Sequence, residues 1–135
     1  MSTSHHLGDL QFAIMRVLWT EGEATVARVV EALPADKRRA LTTIATMLSK
    51  MEKKGVVTHR TEGRQFVYAP TVSEEAVTRS MVADLTQRLF EGDAGALVSH
   101  LLTEGEIQES ELGRLRRLIA EREAEEAGGR EVDAI

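Results

Sequence analysis

The sequence predicts a mainly α-helical protein with one small β-hairpin. Apolar residues recur at helical spacing through six segments of the 135-residue chain, whereas strand-like alternation occurs only between residues 56 and 68. Aromatic residues make up only 4% of the chain, so Leu, Val, Ile, Met and Ala must fill the core. This length fits one domain, or one small domain with an appendage.

Two helices are predicted before residue 35. The first begins at Gly8, with Asp9 near its positive end, and carries apolar residues on two nearly opposite faces. A helix of this kind is buried on two sides, so its second face needs a further layer from the C-terminal half or from a partner chain. After a short extended piece at Ala24, Thr25 caps the second helix, which ends at Pro34.

A third helix is predicted from about Ala40 to Lys54, where Gly55 stops it. Its inward face is expected to consist of Leu41, Ile44, Leu48 and Met51. The opposite face carries small hydroxyl side chains in the first turns and lysines in the last, which suits a helix that reads bases and reaches phosphates. A plain amphipathic surface helix is the alternative. The recognition-helix candidates are Thr42, Thr43, Thr46, Ser49, Lys50 and Lys53.

Residues 56–60 and 65–68 read as two strands joined around Glu62 and Gly63. Phe66 and Tyr68 are expected to form one aromatic face against the helices, and Arg60, Arg64 and His59 to project near the tip. Three helices followed by a basic hairpin is the order of a winged helix-turn-helix, in which the hairpin, or wing, lies along the nucleic-acid backbone. A plain hairpin with exposed arginines is the alternative.

The charge distribution favours a nucleic-acid partner although the chain is acidic overall, with a net charge of -5. Residues 1–70 carry a net charge of +3 and residues 71–135 a net charge of -8, and residues 37–64 alone reach +6. Such a basic stretch is an electrostatic footprint for nucleic acid, or else a solvated face. The candidates for contacts with the DNA backbone, including the wing, are Arg38, Arg39, Lys54, Arg60 and Arg64.

The second half is predicted to be helical. Ser73 caps a helix over residues 74–90, and further helices follow over residues 94–102 and from after Gly105 to about 127. These amphipathic helices cannot bury their apolar stripes alone, which indicates packing on the first half or on another chain. The expected dimerisation residues are Val77, Met81, Leu85, Leu89, Leu97, Leu101, Leu112, Leu115 and Ile119. The expected divisions are a disordered tail (1–7), a winged-helix DNA-binding domain (8–70), a helical dimerisation segment (71–125) and a disordered acidic tail (126–135).

Several function classes are not expected. The chain has no cysteine, no apolar run long enough to span a bilayer and no secretory signal, so a cytoplasmic protein without a disulfide is expected. The four histidines are scattered apart from the pair His5–His6, and there is no phosphate-binding glycine loop. We therefore expect neither catalysis nor a cofactor nor a metal.

Taken together, these stretches resemble the BlaI/MecI-type penicillinase repressor family of winged-helix transcriptional repressors. The likeness is close over residues 8–70 and looser towards residue 120. The looser matches are residues 88–92 and 96–98. The close matches are residues 10–19 (LQFAIMRVLW), 22–26, 31–34, 42–44, 46–48, 53–55, 63–64 and 67–70.

The resemblance implies a homodimer that sits on a palindromic DNA operator and blocks transcription, in some members of genes for antibiotic resistance. It implies base reading by Thr42, Thr43 and Thr46 and a wing contact by Arg64. In several members a membrane sensor-protease system releases the repressor by cutting the dimerisation segment. The corresponding cleavage region is Ser99, His100 and Leu101, without the Asn-Phe pair of staphylococcal members. The cysteine-rich metal site of copper-responsive relatives is excluded.

Two other functions stay open at this point. A winged helix can serve as a protein-interaction scaffold without DNA contact, although such modules usually lack a basic third helix and an arginine wing. A winged-helix regulator can also sense a ligand directly, which would require a pocket lined by His, Cys or carboxylates, and the sequence shows no such set.

Overall fold

The computed structural model describes the backbone of residues 7–133 and the side chains of residues 7–129. It confirms a mainly helical protein with a small sheet, and it divides into two compact units, up to Arg88 and from Leu89 onward. The expected N-terminal tail, including His5 and His6, lies outside the described residues except for Leu7. The elements are α1 (Asp9–Glu21), β1 (Ala24–Thr25), α2 (Val26–Ala32), α3 (Leu41–Lys54), β2 (Val57–Glu62), β3 (Gln65–Pro70), α4 (Glu74–Phe90), α5 (Ala94–Thr103) and α6 (Leu112–Asp133).

Local signals in the sequence set several helix ends. The Thr25 hydroxyl accepts a hydrogen bond from the Arg28 backbone N–H at 3.1 Å, which caps α2. The Ser73 hydroxyl accepts one from the Ala76 N–H at 3.0 Å and so caps α4. Helix α3 ends at Gly55, whose φ of 83° is the left-handed conformation that glycine adopts without a steric penalty.

The sheet has three antiparallel strands in the order β1-β3-β2, so the short strand β1 pairs with the wing. Strands β2 and β3 pair from Val57 opposite Pro70 to Glu62 opposite Gln65. The connection is therefore a two-residue loop of Gly63 and Arg64, in which Gly63 has a φ of 62°. Glycine at the first loop position is typical of a type II′ hairpin, and this geometry fixes the register of the wing.

Helix α1 is buried on two sides, as its sequence pattern predicts. Ile14, Met15 and Leu18 are fully buried, and Leu7, in the predicted tail, also belongs to this core. The second layer comes from the same chain. The Trp19 indole N–H donates to the Val72 carbonyl at 2.9 Å, and the core cluster includes Val72 and residues of α4.

This packing corrects the predicted dimerisation role of Val77 and the predicted domain boundary at residue 70. Val77 is completely buried in the core of the first unit, and Met81 packs against that core. Val77 therefore has no surface to offer a second chain, because its own chain already covers it. The compact unit also continues past residue 70 to Arg88, since residues after the hairpin complete the core around α1.

The C-terminal unit contains α5 and α6 separated by a 3₁₀ turn at Glu109–Glu111. Helix α6 begins later than expected and continues to Asp133, so residues 126–133 are helical rather than a disordered tail. Alanine, arginine and glutamate are favourable helix formers, and here they extend the helix through Gly128 and Gly129. Within the described residues, none of the helices combines the length and the apolar character that crossing a membrane requires.

An ion pair ties the wing to the turn that follows α1. The Arg60 guanidinium donates to a carboxylate oxygen of Glu23 at 2.8 Å and also to Glu62 on its own strand. The hydrogen bond and the charge of Arg60 hold the pKa of the Glu23 carboxyl below its ordinary value. The contribution of this pair to stability is therefore present above the ordinary glutamate pKa and is lost as the pH falls through the lowered one.

We expect Trp19→Phe to lower the free energy of unfolding by about 1 to 3 kcal/mol, because the Val72 carbonyl loses its donor in a partly buried setting. Urea denaturation of the full chain measures this change. Thr20→Ala is the matched control, since Thr20 is exposed on the same helix and its removal should change little. Equal stability of the native protein and Trp19→Phe would show that this hydrogen bond does not stabilise the packing of α1 against the residues that follow the hairpin.

We also expect the Glu23 carboxyl to titrate below the ordinary glutamate pKa of about 4.3 in the native protein. In Arg60→Ala it should return to about that value, because its cationic partner is gone. Carbon-detected NMR titration of the glutamate carboxyls measures both midpoints. The same midpoint in both proteins would contradict the ion pair between Arg60 of the wing and Glu23 of the turn.

Candidate nucleic-acid interface

Three side chains on the inner face of α3 determine which side of the helix is exposed to solvent. Ile44, Leu48 and Met51 are all completely buried in the core of the first unit. Because residues three and four apart share one side of a helix, burying this row turns the opposite row towards solvent. The core therefore determines which side chains α3 presents.

The presented row is the one that the sequence predicted. Thr42, Thr46, Ser49 and Lys53 follow one another at spacings of four, three and four, which is one continuous stripe along the helix. Thr43 and Lys50 flank it, and all six side chains are exposed. Short hydroxyl side chains occupy the first half of the stripe, while cations occupy the second. This order matches hydrogen bonding to base edges followed by contacts to phosphates.

The wing adds a further cation at its loop. Arg64 is exposed directly after Gly63, and among the residues whose side chains are described it has no ion-pair partner. An apolar groove of about 330 Å³ lies between this loop, the start of α2 and the first turn of α3. Its lining includes Arg64, Leu41 and Phe66. The wing loop and the first turn of α3 therefore line the same groove.

Leu41 and Phe66 do not lie where the sequence predicts. Leu41 is 53% exposed rather than buried, since it stands at the first residue of α3 and borders that groove instead of the core. Phe66 is 47% exposed, although Val67 and Tyr68 beside it are buried. Helical periodicity could not show that α3 begins about one turn before its first buried residue, Ile44.

His59 also differs from its predicted place near the tip. It is half-buried, and its Nδ1 lies 2.7 Å from a carboxylate oxygen of Glu52 on α3. The Phe66 ring stacks on the imidazole with a centroid distance of 4.2 Å. Burial, with a smaller effect of Glu52, raises the pKa of the neighbouring Tyr68 hydroxyl. This cluster joins α3 to the wing. Only the contact between these two elements, which are separated in sequence, reveals it.

Both acidic side chains between residues 37 and 64 are occupied by cationic or imidazole partners. Glu52 contacts His59, and Glu62 accepts from Arg60, whose other partner is Glu23. Neither carboxylate is therefore left as an unopposed negative charge beside the stripe. This arrangement lets an acidic protein present a positively charged surface.

All of the predicted backbone-contacting cations except Arg64 are engaged within the chain. Arg38 donates to the carbonyls of Glu31 and Leu33 at the end of α2, and Arg39 donates to the carbonyls of Asp36 and of Arg38.

Lys54 is likewise engaged, because its ammonium donates to the Gln11 side chain at 2.9 Å. Arg60 is held by two carboxylates. The structure thus gives Arg38, Arg39, Lys54 and Arg60 intramolecular roles, while it leaves Lys50, Lys53 and Arg64 extended from the surface.

The chain is similar to known proteins over most of its length. The penicillinase repressor family model matches residues 7–121. Over 126 residues the chain is 36% identical to the transcriptional regulator BlaI of Mycobacterium tuberculosis, covering 92% of this chain and 90% of that protein. Over 115 residues it is 26% identical to the penicillinase repressor of Bacillus licheniformis, covering 85% of this chain and 90% of that protein.

One solved structure is similar to part of this chain. The solution structure of the DNA-binding domain of the repressor BlaI is 32% identical, with a TM-score of 0.48, over 56% of this chain and 93% of that one. The family model spans both compact units and leaves only the chain ends unmatched. The chain therefore belongs to the penicillinase repressor family.

Proposed function

We propose that the chain is a DNA-binding transcriptional repressor that acts as a homodimer on a palindromic operator. The observation that carries this proposal is the exposed stripe of α3, in which hydroxyl side chains precede lysines beside an arginine wing. Its family membership and its relatives, named as repressors and regulators, support the same function. A protein-interaction scaffold without DNA contact would not require hydroxyl side chains followed by lysines along the exposed stripe of α3.

In this proposal α3 enters the major groove with its N-terminal turns. Thr42, Thr43 and Thr46 read base edges, because a hydroxyl donates or accepts and a threonine methyl contacts a thymine methyl. Ser49, Lys50 and Lys53 approach the phosphates, where charge rather than shape determines affinity. Arg64 places a further cation on the backbone beside the helix.

The dimer in this proposal is held by apolar side chains that the single chain leaves exposed. Helix α4 exposes Leu85 and Leu89, at 42% and 69%, and Ile119 of α6 is 59% exposed. Burying them against a second copy removes apolar surface from water, which favours association. Val77 drops out of the predicted set, and the half-buried members are Met81, Leu97, Leu101, Leu112 and Leu115.

We further propose that release follows inactivation of the repressor by proteolysis in α5, carried out by a membrane sensor-protease system. Ser99 and His100 are exposed and Leu101 is half-buried, all within the helix Ala94–Thr103. A protease needs an extended substrate, so this helix must open locally before it is cut. A cut here would divide the segment proposed to hold the dimer.

Direct ligand sensing is less well supported. A groove of about 390 Å³ is lined by apolar side chains of α1 and by Met81. Three of the four charged groups that line it already have partners, because Lys37 lies 3.8 Å from Asp36 and Arg16 lies over the Phe12 ring. A specific ligand would need convergent polar groups that are still available.

We expect Arg64→Ala to weaken binding to all DNA sequences and to reduce the slope of log K against log salt by about 1, because one phosphate contact is lost. Thr46→Ala should instead change the preference among operator variants. Fluorescence anisotropy with operator and scrambled duplexes over a salt series measures both effects.

Arg79→Ala is the matched control for that series, since Arg79 is an exposed arginine of α4 that pairs with Glu75 outside the proposed DNA face. It should leave affinity and slope unchanged. If Arg64→Ala and Thr46→Ala both behave like this control, then α3 and the wing are not the DNA-binding surface.

We expect Leu89→Asp to raise the dissociation constant of the dimer by tenfold or more, because it puts a charge into the proposed apolar interface. Gln87→Asp introduces the same charge on the opposite side of α4 and should have little effect. Sedimentation equilibrium measures both. Equal dissociation constants for the two variants would remove Leu89 from the interface.

A further inference from the structure

Helix α6 carries two stripes in which charge changes sign along the helix. The first stripe is Arg114, Leu118, Glu121 and Glu125, and the second is Arg116, Ile119 and Glu123. Their spacings of three and four residues keep each stripe on one side of the helix. Each stripe begins with an arginine, continues with an exposed apolar residue and ends with glutamate.

These side chains have no ion-pair partner among the residues of this chain whose side chains are described. Leu118 is 49% exposed and Ile119 is 59% exposed. The arginines and glutamates of the two stripes are exposed and form no ion pair with any side chain of residues 7–129. Between the two stripes, on the side of the helix that carries Leu118 and Ile119, Arg122 pairs with Glu126 at 3.2 Å. The two stripes are therefore a surface whose charges are still available.

We propose that α6 pairs antiparallel with α6 of a second copy of this chain, crossing at Leu118 and Ile119. This inference rests on the proposed homodimer and specifies its arrangement. At 1.5 Å per residue, Arg114 lies about 7 Å before the crossing point, whereas Glu121 and Glu125 lie about 4 Å and about 10 Å beyond it. Two-fold symmetry then places Arg114 level with the space between the partner's two glutamates.

The same symmetry brings Arg116 beside the partner's Glu123, and every contact occurs twice. A parallel pair would instead set arginine against arginine and glutamate against glutamate, which is unfavourable between neighbouring helices. The charge order therefore selects one direction of pairing and rejects helices that lack the complementary order.

The acidic end of this surface lies largely outside the family match. The family model ends at residue 121, whereas α6 continues to Asp133 and carries Glu123 and Glu125 in that continuation. Two exposed apolar side chains per chain are a small area for a stable dimer. The surface on α6 therefore determines orientation and partner choice, while the apolar residues of α4 supply most of the affinity.

Charge reversal in the full-length chain tests the pairing. At low ionic strength we expect R114E/R116E, and separately E121K/E123K/E125K, to raise the dimer dissociation constant about tenfold or more in sedimentation equilibrium. The effect should shrink at high salt, because the pairs are exposed. The five-fold variant that combines both sets should return to within about threefold of the native protein, because complementarity is restored with the signs exchanged.

R117E is the matched control, because Arg117 is exposed on the opposite side of α6 and should leave dimerisation within about twofold of native. Circular dichroism establishes that each variant keeps its helical content. A native protein that stays monomeric throughout would overturn the proposed homodimer and, with it, this pairing. A native dimer that the charge-reversed variants leave unchanged, that the five-fold variant fails to restore, or that R117E weakens equally, would overturn the α6 pairing alone.

Discussion

The burial of Ile44, Leu48 and Met51 determines which side chains α3 presents to solvent. These three side chains of α3 are completely buried, so the rotation of the helix about its own axis is fixed by the core. A helix turned by one residue would expose part of this row and bury threonine hydroxyls without partners. The chemistry of the outer face is thus determined by apolar packing on the inner face.

Electrostatics adds a second layer to that constraint. The chain is acidic, yet the carboxylates nearest α3 and the wing are each engaged by Arg60 or His59. The same contacts hold the wing against the turn after α1 and against α3. One set of interactions therefore both screens negative charge and positions the hairpin, so the surface is arranged before any DNA arrives.

Sequence reasoning recovers what depends on local patterns. The caps at Thr25 and Ser73, the stop at Gly55 and the outward stripe from Thr42 to Lys53 follow from spacing and side-chain chemistry alone. The exposure of Leu41 does not, because it depends on where neighbouring elements end. The pairing of Glu52 with His59 joins α3 to the wing and needs three-dimensional coordinates.

The boundary between the two units could not be predicted from local patterns either. Pro70 looks like a boundary in the sequence, and apolar stripes beyond it look free for a partner. Val77 follows the periodicity of a dimerisation helix, but it belongs to the first core. Apolar periodicity indicates which side of a helix is buried, but it does not indicate whether the same chain or a partner covers that side.

The hydrogen bond from Trp19 to the Val72 carbonyl limits where the first unit can be cut out of the chain or moved into another protein. A fragment cut at the end of the hairpin would leave the indole N–H without its acceptor and expose the apolar face of α1 to water. A usable module must keep the residues up to Arg88, where the first compact unit ends. The first turns of α4 are thus an integral part of the first folded unit rather than a linker that follows it.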